Sequence, residues 1–181
     1  MGEIAHPTIE DFILMIVDFV EKRPGLTMAD VDLWKTDLKG AYTLMSFKAD
    51  NCMKFAVELV GSITIIFLCG LFGWSSTPAA LQVITRAIVF ELGRILLGMA
   101  LMYVDDIVGV SKRSELQHDL DAARGVCTTL LGEHAVQDDK TLFTTDKERR
   151  LDVIGYTIDL DKQVVTMSRR NLLKTCTYSS A

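Results

Sequence analysis

The chain has 181 residues, of which 49 % are hydrophobic and 24 % charged. That composition supports one compact domain with a core and excludes a disordered or low-complexity chain. A net charge of -5 and a pI near 5.2 count against nucleic-acid binding on bulk charge, since phosphate contacts need Lys and Arg. Any such function must rest on specific residues.

Cys52, Cys69, Cys127 and Cys176 are far apart and show no CxxC spacing. This excludes a zinc ribbon and points to reduced, intracellular thiols, in cytoplasm or nucleus. No basic n-region with an apolar h-region opens the chain. The apolar stretches 13–17 and 62–74 fall short of the ~20 residues of a spanning helix, so no membrane partner is expected.

Thr8 and Asp11 cap a helix running to about Lys22, with Ile9, Phe12, Ile16 and Phe19 near helical spacing. Arg23-Pro24-Gly25 ends it. Residues 31–37 suit a strand. Residues 54–59 and 62–68 flank Val60-Gly61 as a β-hairpin. A glycine- and serine-rich loop follows over 70–78, then a buried helix over 79–97. Two apolar strands, 99–104 and 107–110, are separated only by Asp105-Asp106.

The stretch 115–131 predicts an amphipathic helix with Leu116, Leu120, Ala123, Cys127, Leu130 and Leu131 on one face, stopped by Gly132. A polar loop with a short strand spans 137–150. Residues 153–158 and 164–167 close the chain as a hairpin across 159–163. The sequence thus divides into an N-terminal helix and linker (1–30), a body (31–175) and a tail (176–181). Mixed helices and antiparallel hairpins predict an α+β fold with an antiparallel sheet.

Two adjacent carboxylates at the tip of an apolar hairpin are the first chemical signal. Asp is common in hairpin turns, but strongly apolar flanks place this tip in a core sheet. Carboxylates fixed side by side repel, and a divalent cation holds both ionised. Asp37, at a predicted strand end, adds a third carboxylate that can converge on a two-metal site for phosphoryl transfer. His6, His118 and His134 have no partners at ligand spacing.

Tyr103-Val104-Asp105-Asp106 resembles the Tyr-x-Asp-Asp signature of reverse transcriptases, and Asp37 with Tyr42 resembles their first catalytic motif, an Asp followed by an aromatic gate. The stretch 67–78, with Phe72, Gly73 and Trp74, is similar to their nucleotide and template loop. Residues 151–159, with Gly155 and Tyr156, resemble the primer-grip hairpin, and Lys140 matches a lysine between that hairpin and the catalytic one. The motifs occur in the family's order over about 31–175. The loop and grip look closer to retrotransposon enzymes, especially those of elements that carry a tyrosine recombinase, than to retroviral ones.

The resemblance implies a polymerase palm, a sheet of three or four strands with two helices on one face and carboxylates on the open face. It implies that Asp37 and Asp105 bridge two Mg²⁺ ions (Mn²⁺ as substitute) with Asp106 in support. Tyr42, Phe72, Gly73 and Lys140 would serve the deoxynucleoside triphosphate, Lys140 as general acid; Gly155 and Tyr156 would place the primer on its RNA or DNA template.

There are departures. Leu71 stands where the family has proline. Only about 30 residues precede the strand to Asp37, so fingers, thumb and ribonuclease H regions of a parent polyprotein are expected as missing partners. The rival reading is an inactive, truncated retroelement product serving as a structural or binding module. An RNA-dependent RNA polymerase, which usually carries Gly-Asp-Asp and no aromatic gate, is disfavoured by Tyr103 and Tyr42.

Overall fold

A computed structural model describes residues 4–71, 73 and 77–172. In chain order the elements are α1 (Ile9–Glu21), β1 (Val31–Asp37), a single-turn α2 (Ala49–Cys52), β2 (Ala56–Leu59), β3 (Ile63–Ile66), α3 (Thr77–Ile95), β4 (Met99–Tyr103) and β5 (Asp106–Lys112). Then follow α4 (Leu116–Leu131), β6 (Leu142–Phe143), β7 (Arg150–Val153), β8 (Tyr156–Asp159) and β9 (Val164–Met167). Among these, four strands form the central sheet in the order β4-β5-β1-β6, while β2-β3 and β7-β8-β9 form two smaller sheets.

Period-two alternation on β1 divides the core. Val31 and Leu33 point to one face, where they pack with Val108 and Val110 of β5, with Phe12, Met15, Ile16 and Phe19 of α1, and with Leu151, Val153 and Ile158. Trp34 points to the other face and packs with Ile88 and Leu92 of α3 and Ala123, Val126 and Cys127 of α4. The expected pair of helices on one face is therefore α3 and α4. The opposite face, expected to be open, is covered along its Val31–Val110 half by α1 and the β7-β8-β9 sheet. An amphipathic helix must bury its apolar stripe somewhere, and this surface takes the stripe of α1.

Thr8 caps α1 as the sequence predicts: its Oγ1 accepts from the Asp11 amide, and the Asp11 carboxylate accepts from the Thr8 amide at 2.7 Å. Other boundaries differ. The stretch 153–158, read as one strand, is broken by a tight turn at Ile154-Gly155, where both φ angles are positive (41° and 88°). Arg150–Val153 and Tyr156–Asp159 are its two arms. On α4 the buried residues are Asp119, Ala123, Val126 and Cys127, and Leu130 is exposed. Cys52, Cys69 and Cys127 are free thiols, and no described helix is long and apolar enough to cross a membrane.

Trp34 is fully buried and lies opposite Gly109. A Cβ on Gly109 would meet the indole at 2.2 Å, so only glycine fits there. The indole Nε1 donates to Ser111 Oγ at 2.8 Å, and Ser111 donates to the buried carboxylate of Asp119. Asp119 also accepts from the amides of Leu97 (2.8 Å) and Gly98 (2.9 Å), fixing the turn from α3 into β4. Each buried donor left unpaired costs about 1–3 kcal/mol. Asp119→Ala should therefore lower unfolding free energy by roughly 3 kcal/mol or more, read as a lower urea midpoint. Asp121→Ala, on the exposed side of the same helix, should stay within about 0.5 kcal/mol.

Candidate active site

The β1–β5 pairing places Asp37 directly opposite Asp106. Both lie on the face of Val31, Leu33, Val108 and Val110, two or more residues beyond the apolar cover. Tyr103 pairs with Asp106 across a two-residue tip, Val104-Asp105. Val104 has φ of 56°, a left-handed conformation that is strained for a β-branched side chain. The tip is held against β1 by the Leu38 amide, which donates to the Asp105 carbonyl at 2.9 Å.

A second segment closes the site from below. After α4 the chain runs beside the end of β1: Lys39 N donates to Ala135 O at 2.8 Å, and Gln137 N donates to Asp37 O at 2.9 Å. This delivers Lys140, whose Nζ donates to Asp37 Oδ2 at 2.5 Å. The sequence-predicted Asp37, Asp105, Asp106 and Lys140 are thus brought together.

Burial pushes the Asp105 carboxyl above its ordinary value, and the adjacent Asp37 charge adds to it. Burial also raises Asp106; Lys35 opposes this most, and Asp37 and Asp105 reinforce it. The hydrogen bond to Asp37 raises Lys140. Among the described residues no three His, Cys, Asp or Glu side chains are arranged to enclose a metal ion. Mg²⁺ in phosphoryl-transfer sites is held by one or two carboxylates plus substrate phosphates rather than by a protein cage. Asp37 and Asp105, close enough for the Asp37 charge to raise Asp105, fit that donor set.

Tyr42 lies in the turn after Gly40 and packs against the α3–α4 core. It shares a small cleft with Val104 of the tip and with Pro78 and Leu81 of α3. Gly70 backs it so closely that a Cβ there would meet the Tyr42 carbonyl at 2.7 Å. Gly73 is exposed, with a left-handed φ of 92°. Phe72, like Trp74, lies outside the described residues.

Gly155 lies in the tip of the β7–β8 hairpin and Tyr156 opens its second arm. Gly155 O accepts from Ser168 N (2.9 Å) and Asn171 Nδ2 (3.2 Å). Neither Gly155 nor Tyr156 bonds to the aspartates; the link is Lys35. Sequence reasoning passed over this residue. Its Nζ donates to the Asp152 carbonyl of β7 at 2.8 Å. Its signal was its position, two residues before Asp37 and hence on the same face of β1.

No protein-family model and no curated protein matches the chain. Its fold is similar to solved polymerase structures. A foamy viral protease–reverse transcriptase in complex with double-stranded DNA matches 77 % of this chain and 22 % of its own, at 18 % identity and a TM-score of 0.62. Telomerase from Candida albicans, in complex with a telomeric RNA fragment, matches 92 % and 35 %, at 12 % identity and 0.66. Apo telomerase from Candida tropicalis matches 90 % and 36 %, at 14 % identity and 0.62. The described residues have the polymerase palm fold shared by reverse transcriptases and telomerase. The chain spans about a fifth to a third of the length of these neighbours.

A carboxyl raised on folding binds its proton more tightly in the folded state. Its stability contribution is present below the unfolded value of 3.8 and is lost as pH rises through the folded value. Asp105→Asn should therefore raise the urea midpoint near pH 7 and leave it almost unchanged near pH 3. A fall at neutral pH would mean that a net attraction holds the carboxylate.

Proposed function

We propose that the protein is the palm of an RNA-directed DNA polymerase, adding deoxynucleotides to a primer 3′ end on a nucleic-acid template. The observation that carries this reading is the register of Asp37 opposite Asp106, with Asp105 on the adjoining tip, in a palm fold. The nucleic acids bound by the foamy viral and Candida albicans neighbours support a template and primer as partners. The ordered motifs support a retrotransposon origin.

Asp37 and Asp105 would hold Mg²⁺, which supplies charge neutralisation at the triphosphate and a more acidic primer hydroxyl. Asp106, opposite Asp37, maintains the negative field of the cluster. Lys140 Nζ, protonated at neutral pH and held by Asp37, would give a proton to the departing pyrophosphate oxygen. Tyr42, beside the tip, lies under the sugar and excludes a 2′-hydroxyl by steric conflict. Gly73, with Phe72 beside it in sequence, shapes the nucleotide loop, where a missing Cβ lets backbone approach a ligand. Gly155 and Tyr156 place the primer end.

Primer extension with Mg²⁺ or Mn²⁺, by this chain and by any longer protein that carries it, tests the proposal. Asp105→Asn should reduce extension by ~100-fold or more with the circular dichroism unchanged. Extension at near wild-type rate would overturn the assignment. Tyr42→Val should increase ribonucleotide incorporation relative to deoxynucleotide; an unchanged ratio would return Tyr42 to a packing role.

A further inference from the structure

Lys35 sits on the carboxylate face of β1, between Val108 of β5 and Leu142 of β6 in register. Strand alternation gives its side chain the same direction as Asp37, while Trp34 and Thr36 point to the helices. The ammonium spans the gap to the β7–β8 hairpin and donates to the carbonyl of Asp152, two residues before the Ile154-Gly155 tip. It is half-buried, and its charge reaches Asp106.

The site's two lysines are engaged differently. Lys140 is neutralised by Asp37 at 2.5 Å. Lys35 forms no ion pair among the described residues, and a backbone carbonyl is its one hydrogen-bond partner there. An ammonium carries three donors, so two remain for a ligand. Its position selects that ligand's chemistry. A strand whose 3′ hydroxyl meets Asp37 and Asp105, and whose end rests on the β7–β8 hairpin, carries its last phosphodiester one nucleotide back. The gap that Lys35 crosses separates those two surfaces.

We propose that Lys35 is a phosphate-binding residue, contacting the last internucleotide phosphodiester of the strand whose end lies at the aspartates. The Asp152 carbonyl fixes the ammonium, and the acidic cluster keeps the anion on the hairpin side of it. This inference rests on the polymerase reading and adds a binding residue to it. It also gives an acidic chain a local positive contact where the phosphate backbone comes closest to its carboxylates.

Fluorescence anisotropy with a labelled, recessed primer–template across a salt series tests it. Each lost phosphate contact lowers the slope of log K against log salt by about 0.7–0.9. Lys35→Met should show that loss, Lys35→Arg should retain the slope, and Lys112→Met, at the far end of β5, should leave it unchanged. Equal thermal unfolding of the four proteins confirms intact folds. An unchanged slope in Lys35→Met, or an equal loss in Lys112→Met, overturns the contact. Absence of binding by the wild type overturns it together with the nucleic-acid reading. Loss of extension in Asp105→Asn with normal binding upholds the polymerase reading whatever Lys35 shows.

Discussion

The antiparallel register of β1 against β5 is the constraint on which the site depends. Seven residues pair, from Val31 with Lys112 to Asp37 with Asp106. Side chains alternate along a strand, so a slip of one residue would move every β5 side chain to the opposite face. Asp106 would enter the core beneath α3 and α4, where a carboxylate is costly, and Ile107 would take its place beside Asp37. Trp34 over Gly109 locks the register. The indole fills a space that no other residue on β5 leaves free, and Ser111 satisfies its N–H. Packing on the helix face thereby determines the geometry of the carboxylate face.

That geometry concentrates negative charge. Asp37 is 7 % exposed, and burial raises both Asp105 and Asp106. Like charges in a partly desolvated site repel more strongly than in water. The chain answers with Lys140 bonded to Asp37, and with Lys35 opposing the shift of Asp106. Bulk acidity and a nucleic-acid function are compatible because the two cations lie beside the carboxylates.

Much of this was legible in the sequence, for physical reasons. Adjacent aspartates between apolar strands mark a hairpin tip to within one residue, since the turn is Val104-Asp105 and Asp106 already opens β5, and Asp37 ends the short strand expected over 31–37. The Thr8–Asp11 cap is likewise local chemistry. Tertiary choices were less legible. Periodicity shows that α1 has an apolar face, but not that the face lies on Val31 and Val110, over a sheet expected to be open. Asp119 reads as a polar helix residue because its partners, the amides of Leu97 and Gly98, are backbone groups without a sequence signature. Lys35 reads as surface charge until the β7–β8 hairpin is seen beside it. The Ile154-Gly155 turn was hidden by Ile154, since a β-branched residue at φ of 41° goes against turn preferences.

That last misfit has a counterpart. Ile154 and Val104 are the two β-branched residues with left-handed backbone among the described residues, and each occupies the tip of a hairpin assigned to the proposed chemistry. Such conformations cost about 1–3 kcal/mol and persist where the surroundings over-determine them. Here the surroundings can be named: Leu38 N holds the Asp105 carbonyl, and Ser168 N and Asn171 Nδ2 hold the Gly155 carbonyl. The first of these bonds runs to the residue that follows Asp37, so one hydrogen bond both restrains the strained tip and fixes the distance between the two carboxylate-bearing backbones. Lys35 then couples the second tip to the first. The strain lies at the carboxylate-bearing tip and at the tip of the hairpin that Lys35 reaches, and bonds from outside each hairpin hold it there.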